Sequence, residues 1–289
     1  MSTVVLVAGS LHHDIMVEAD HLPRIDETAV GQRWYPKFGG KGGNQAVAAR
    51  AAGVQARMFG AVGRDGFGDF LLAALDRANV DRRFVRILDD APSGMSVAIQ
   101  DRAGDYVATI VSGANLHLDP AQLLESSVWE DVAALVLQNE IAPAVNRTAA
   151  QAARDRGIPV ILNAAPARAP DSTLDAHVDI LVVNAVEAEM LGAAPVTDLA
   201  SALAAARHLA ARFRTVVVTA GAMGLAAATD GDVRITIPAR KVPVVSSHGA
   251  GDCFTGTLAA AIAQGRPLPE ACQEASDAAA RHVQSGPAV

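Results

Sequence analysis

What most constrains this chain is a repeated alternation of short, continuous apolar runs with longer alanine-rich stretches. The runs are "VVLVAG" (4–9), "ALVLQ" (134–138), "IPVILN" (158–163), "DILVVN" (179–184) and "TVVVTAG" (215–221). A strand that is apolar at every position is buried on both faces, the condition of a parallel sheet. Between the runs, "GNQAVAARAAG" (43–53), "FGDFLLAALDRANV" (67–80), "VNRTAAQAARDRG" (145–157) and "LASALAAARHLAARF" (199–213) read as helices, several of them closed by Gly or Asn. The alternation predicts βαβ units and an α/β fold: a doubly wound, mostly parallel sheet flanked by helices.

Two segments break the pattern. Residues 14–38 and 93–111 alternate polar and apolar positions around turn signals such as "DRAGD". They predict extra antiparallel strands off the main sheet, a small β-strand lid over its open end. No repeat or low-complexity linker interrupts the chain, so residues 1–289 are expected to form one domain.

Composition removes whole classes of function. A formal charge of -7 gives no clustered cationic field for nucleic acid or an anionic membrane. Cys253 and Cys272 have neither metal-ligand spacing nor a disulfide framework, which fits a reduced, cytoplasmic compartment. The apolar run near the N-terminus is too short for a signal peptide or a membrane span, so no export is expected.

Three elements can carry chemistry. In "FGGKGGNQAVAAR" (38–50) paired glycines let backbone approach a ligand and expose N–H groups at a helix start, while Lys41 and Asn44 add donors; the same residues also read as a tight turn with a solvated lysine. In "NAVEAE" (184–189), Asn184 and Glu187 follow a strand at its carboxyl end, where α/β sheets bind ligands, and can order metal-bound water or phosphate. Asn with Glu three positions on is also a helix-capping box, and both readings can hold together.

The third element is "SSHGAGDCFTG" (246–256). Gly249, Ala250 and Gly251 offer successive backbone N–H groups at a helix N-terminus, a cradle for a phosphoryl group in a charged transition state. A carboxylate beside an anion site is unfavourable unless it has a task, and Asp252 could accept the proton of an attacking hydroxyl. The alternative is an acidic first-turn residue that only complements the helix dipole.

"GGKGGNQAVAA" and "GAGDCFTG", in this order and separation, resemble the two signatures of the ribokinase-like, or PfkB, family of carbohydrate kinases. The similarity spans the chain and is nearest to the ribokinases, through "VAGSLHHDIMV", "FGGKGGNQAVAA", "SGANLHL", "LNAAPAR" and "GAGDCFTG". The resemblance implies ATP-dependent transfer of the γ-phosphoryl group to a sugar hydroxymethyl, with ribose or a related pentose as acceptor. It implies Asp252 as base, with Gly249, Ala250 and Gly251 as anion hole. His12, Asp14, Gly40, Lys41, Asn44 and Glu140 would meet the sugar. Asn184, Thr219, Gly221 and Gly224 would meet the nucleotide, and Glu187 would hold Mg2+ through water. Assembly stays open, with a homodimer through the β lid as the candidate.

The chain also departs from the family pattern. His12 stands where an Asn usually precedes the sugar-binding Asp by two positions, so the hydroxyl pattern being read can differ. Ser246 and Ser247 replace the usual "DT", and the sequence ends at "SGPAV". Both touch the region that holds an activating monovalent cation, so little activation by K+ is expected. His248 reads either as a phosphate contact or as an exposed turn residue. Two other functions remain open: a nucleoside kinase using Trp34, Tyr35 and Phe38 as a base slot, and a non-catalytic sugar sensor. A nicotinamide-binding Rossmann enzyme is disfavoured, because "VAGSLHHD" stands at the first strand where G-x-G-x-x-G would follow.

Overall fold

A computed structural model describes residues 3–285 apart from Gly104 and Asp232. The "GPAV" end and the glycine of the "DRAGD" turn therefore lie outside the described residues. In chain order the elements begin with β1 (Val4–Ala8), β2 (His12–Ala19), β3 (Gly31–Gly39), α1 (Lys41–Ala51), β4 (Gln55–Gly63), α2 (Gly66–Arg77) and β5 (Asp81–Leu88). Next come β6 (Met95–Gln100), β7 (Tyr106–Val111), β8 (Val132–Gln138), α3 (Pro143–Arg154), β9 (Val160–Asn163), α4 (Ser172–Asp175), β10 (Ile180–Asn184) and α5 (Ala185–Met190). The chain closes with α6 (Leu199–Leu209), β11 (Thr215–Thr219), β12 (Gly224–Thr229), β13 (Arg234–Pro238), α7 (Ala250–Ala263) and α8 (Leu268–Ser285).

The main sheet has nine strands in the order β13-β12-β11-β10-β9-β8-β1-β4-β5. Every pair from β11 to β5 is parallel; β12 pairs antiparallel with both β11 and β13 at one edge. Strand side chains alternate between two cores. Val5 and Val7 face α1, α2, α7 and α8 through Ala46, Leu71, Leu258 and Cys272. Val4, Leu6 and Ala8 face the other layer, including Val145 and Ala149 of α3 and Ala205 of α6. Helices on both faces bury both sides of the sheet, which is why its central strands carry no polar alternation.

Each apolar run expected to be a strand is one, with ends shifted by one or two residues; β9 and β11 are shorter than their runs. Strands β4, β5, β12 and β13 have no counterpart among the expected strands. In β4 the apolar run is interrupted by Arg57, which is buried because its guanidinium donates to Asp81 at 2.9 Å and to the carbonyls of Val128 and Glu130.

A second sheet, ordered β3-β2-β6-β7, is built from the two segments that break the pattern. One expectation is corrected here: β2 pairs with β6 in parallel, and only the β2–β3 and β6–β7 pairs are antiparallel. The chain between β2 and β6 passes through two helices and the main sheet, a crossover long enough to bring the second strand back in the same direction.

The site lies where the strand order reverses. The chain proceeds from β1 to β4 and β5 on one side and from β8 to β11 on the other, so a crevice opens beyond the carboxyl ends of β1 and β8.

Candidate active site

The corner after β1 holds the glycine-rich stretch. A Cβ on Gly42 would lie 2.6 Å from Ser10 N, and one on Gly43 would lie 2.6 Å from Phe38 Cζ. Gly43 N–H donates to Ser10 O at 2.9 Å. These two glycines admit the chain's own backbone and the Phe38 ring, as the tight-turn reading of the motif requires. Gly40 has φ of 86°, a backbone conformation that favours glycine, where the chain enters α1 at Lys41.

Glu140, just past β8, anchors this corner. Its Oε2 accepts Lys41 N–H at 2.9 Å and the Ser10 hydroxyl, and lies 3.9 Å from His12 Nδ1. Only Oε1 has no protein partner among the described residues. Glu140 thus first organises the corner, a task beyond the sugar contact implied by resemblance. His12 is 3% exposed, and its Nε2 is buried with no hydrogen-bond partner among the described residues.

Asp252 sits in the first turn of α7, after Gly249 at φ of 80°. Its carboxylate is buried and accepts from Asn44 Nδ2 at 3.1 Å and from Gln45 Nε2 at 2.9 Å. Gln45 also donates to Asn163 Oδ1 at 3.0 Å, and Gln138 donates to Gln45 Oε1 at 2.7 Å. A line of amides from helix α1 and the ends of β8 and β9 therefore fixes the carboxylate. Burial raises the Asp252 pKa, while the Lys41 charge and the two amides oppose the rise. Gln45 escaped the sequence reading although it adjoins Asn44 in the motif.

The α1–α7 contact depends on Gly256, where a Cβ would lie 2.3 Å from Gln45 O. Of the three amides read as an anion cradle, that of Ala250 already donates to Ser247 O at 3.2 Å. Those of Gly249 and Gly251 have no acceptor among the described residues, so the cradle is narrower than expected. The loop before it is tied to α8, with Val245 N–H donating to Val283 O at 2.8 Å and His282 Nε2 lying 2.9 Å from His248 O.

The lid sheet closes the other side. Asp14 is buried and accepts from Ser96 Oγ at 2.5 Å, and its Oδ2 lies over Gly39, where a Cβ would come within 2.0 Å. Across the ladder from Asp14 stands Lys37. His13 points to the opposite face, stacked on Phe67 at 4.1 Å and edge-on to Phe70, which fastens β2 to α2. Burial lowers the pKa of His13, with Asp14 and Asp65 opposing. His248 is exposed at the rim and feels Lys37, Asp14 and Lys41; desolvation lowers its pKa, and the two lysines add to the effect.

At the start of α7 a cleft of about 860 Å³ is lined by Asn184, Thr219, Gly221, Gly224 and Gly251 among others. The cleft thus gathers the four residues assigned to the nucleotide. Gly224, at φ of 118°, leaves no room for a Cβ beside Ile237 O, so its role is close strand packing; Gly221 has open space. Asn184 and Glu187 form the reciprocal capping box at 2.8 Å in each direction. Burial raises the Glu187 pKa, and of its neighbouring charges Lys41 lowers it while Asp252 raises it. No cluster of three His, Cys, Asp or Glu side chains suited to a metal occurs among the described residues. A desolvated carboxylate within electrostatic range of a second one suits a hydrated divalent cation that completes its shell with phosphate oxygens.

Residues 3–288 match the family described as pfkB family carbohydrate kinase. Over 262 residues the chain is 34% identical to a ribokinase of Mus musculus, covering 89% of this chain and 81% of that one. A ribokinase of Haemophilus influenzae is 30% identical over 285 residues, covering 98% and 93%. The structure of Arabidopsis thaliana ribokinase complexed with ribose and ATP matches with a TM-score of 0.91 at 29% identity, covering 100% of this chain and 95% of that one. A match along nearly the whole chain, on a fold that brings both signatures to one crevice, makes this protein a member of the pfkB family of carbohydrate kinases.

Proposed function

We propose that this ATP-dependent carbohydrate kinase acts on ribose or a closely related pentose, transferring the γ-phosphoryl group to the sugar's hydroxymethyl. The observation that carries the reading is the setting of Asp252: buried, held by two amides, next in the chain to Gly251, which lines the 860 Å³ cleft, and acting together with Asp14 on Lys37 of the lid. A hydroxymethyl there gives its proton to Asp252 as its oxygen attacks the γ-phosphorus and the bond to the ADP oxygen breaks. The free N–H groups of Gly249 and Gly251, at the positive end of α7, face the charge that develops on the phosphoryl oxygens. Lys41 adds a fixed positive charge that acts on both Asp252 and Glu187. Mg2+ held by Glu187 through water, near Asn184, would supply further neutralisation of phosphate charge.

On the sugar side, Asp14, His12 and the free oxygen of Glu140 offer hydroxyl partners, while Asn44 is partly committed to Asp252. The lid sheet keeps water from the transferring group. Its exposed Trp34, Val107, Ile110 and Val111 support a homodimer joined through this sheet. Among the described residues no helix is long and apolar enough to cross a membrane. Cys253 and Cys272 are free thiols, which fits a reducing, cytoplasmic site of action.

The nucleoside alternative finds less support. Trp34 and Tyr35 are exposed on the lid and Phe38 packs against Gly43, so these aromatics do not line a slot for a base. A non-catalytic sensor would have no need for the amide network around Asp252. The test is ADP release on a panel of sugars and nucleosides with ATP. Ribose or a related pentose should turn over best; turnover of nucleosides alone would overturn the assignment.

A further inference from the structure

Lys37 lies in a segment that the motif reading left unassigned. It faces Asp14 directly across the β2–β3 ladder, and opposed residues of an antiparallel pair place their side chains on one face. That face is the one with Asp14, over Gly39, while His13 and Phe38 occupy the other.

Lys37 is half-buried, feels the charges of both Asp14 and Asp252, and makes no hydrogen bond or ion pair among the described residues. A lysine partly withdrawn from water with carboxylates in range ordinarily forms a direct pair. Here Asp14 instead takes the Ser96 hydroxyl and stays too far from the ammonium for an ion pair. Donor and acceptor face each other across a gap.

We propose that Lys37 is a sugar-binding residue, whose ammonium donates to the same hydroxyl oxygen that gives its proton to Asp14. One hydroxyl is then gripped from two sides. A hydroxyl can play both parts at once, whereas a carboxylate lacks the proton that Asp14 needs and would face a like charge. The other charged or titratable groups that act here include Lys41, His248, His282 and Asp252; Asp252 is already engaged by Asn44 and Gln45. The inference rests on the sugar-kinase reading and deepens it by naming a residue that selects the acceptor.

The experiment is a cycle between residue and substrate. Steady-state kinetics at saturating ATP are measured for the wild type, Lys37→Met, Lys37→Arg and Asp14→Ala on ribose and on its singly deoxygenated analogues. On ribose, Lys37→Met should raise KM roughly tenfold to a hundredfold, the range for a lost hydrogen bond to a charged group, with a much smaller change in kcat. Lys37→Arg should recover part of the loss. On the one analogue that lacks the gripped hydroxyl, neither Lys37→Met nor Asp14→Ala should cost anything further. An unchanged KM on ribose, or an equal loss on every analogue, would overturn the proposal while leaving the kinase reading intact. If the wild type phosphorylates no sugar, the kinase reading falls and this inference with it.

Discussion

Replacing Asp252 by Asn separates its catalytic role from its structural one. The carboxylate accepts Asn44 Nδ2 on one oxygen and Gln45 Nε2 on the other. An asparagine amide keeps one acceptor and turns its NH2 toward a second donor, so one buried donor loses its partner, at about 1–3 kcal/mol. A second effect opposes this. Burial raises the Asp252 pKa above the ordinary 3.8. A carboxyl whose folded pKa is raised favours the fold while protonated, and that contribution is lost as pH rises through the folded value. Above the folded pKa the ionised group is therefore a cost, which the neutral amide removes. The variant should stay folded, with a stability change smaller than the hydrogen-bond loss alone. Its kcat should fall by about 10²- to 10⁴-fold, the usual contribution of a general base. The wild-type profile should lose activity on the acid side at a pH above the ordinary carboxylate range, as Asp252 takes up its proton, and Asp252→Asn should lack that limb. ADP release at saturating sugar and ATP, measured across pH beside thermal unfolding, decides the matter. Near-normal turnover, or an acid limb that survives in the variant, would refute the assignment.

Three further outcomes follow from the geometry. Gly256→Ala sets a methyl 2.3 Å from Gln45 O and 2.7 Å from Ala48 Cβ, so α1 and α7 must separate; stability should drop by about 1–3 kcal/mol with kcat falling as Gln45 shifts from Asp252, and an unchanged melting temperature would contradict the tight contact. Ser246 offers a neutral oxygen that already accepts His248 N–H at 3.2 Å, so kcat/KM should be nearly equal in potassium and in a bulky organic cation at matched ionic strength. A strong rise in potassium would mean that a cation site persists without a carboxylate at this position. Amide exchange in residues 14–38 should slow when sugar is added, and exchange indifferent to sugar would count against the lid.

The layered α/β architecture was legible in local sequence alone. Runs such as "VVLVAG" and "DILVVN" are apolar at every position because β1 and β10 are covered on both faces, and that condition is written locally. Asp252, the glycines before it and the Asn184–Glu187 box were legible for the same reason, since helix entrances are specified by residues a few positions apart. Tertiary structure decided the rest. Strand β4 was hidden by Arg57, whose burial depends on Asp81 and on carbonyls far along the chain. The parallel pairing of β2 with β6 depends on a crossover through the main sheet, which strand periodicity does not report. Gly42 and Gly256 look alike as small residues in a motif, yet what each admits is another segment's backbone. Gln45 meets Asp252 across 207 positions, and Lys37 meets Asp14 only once the hairpin register is set. Local patterns record how each residue is buried; which partner it meets is settled when separate elements pack, because that choice minimises unpaired polar groups and empty space over the whole fold at once.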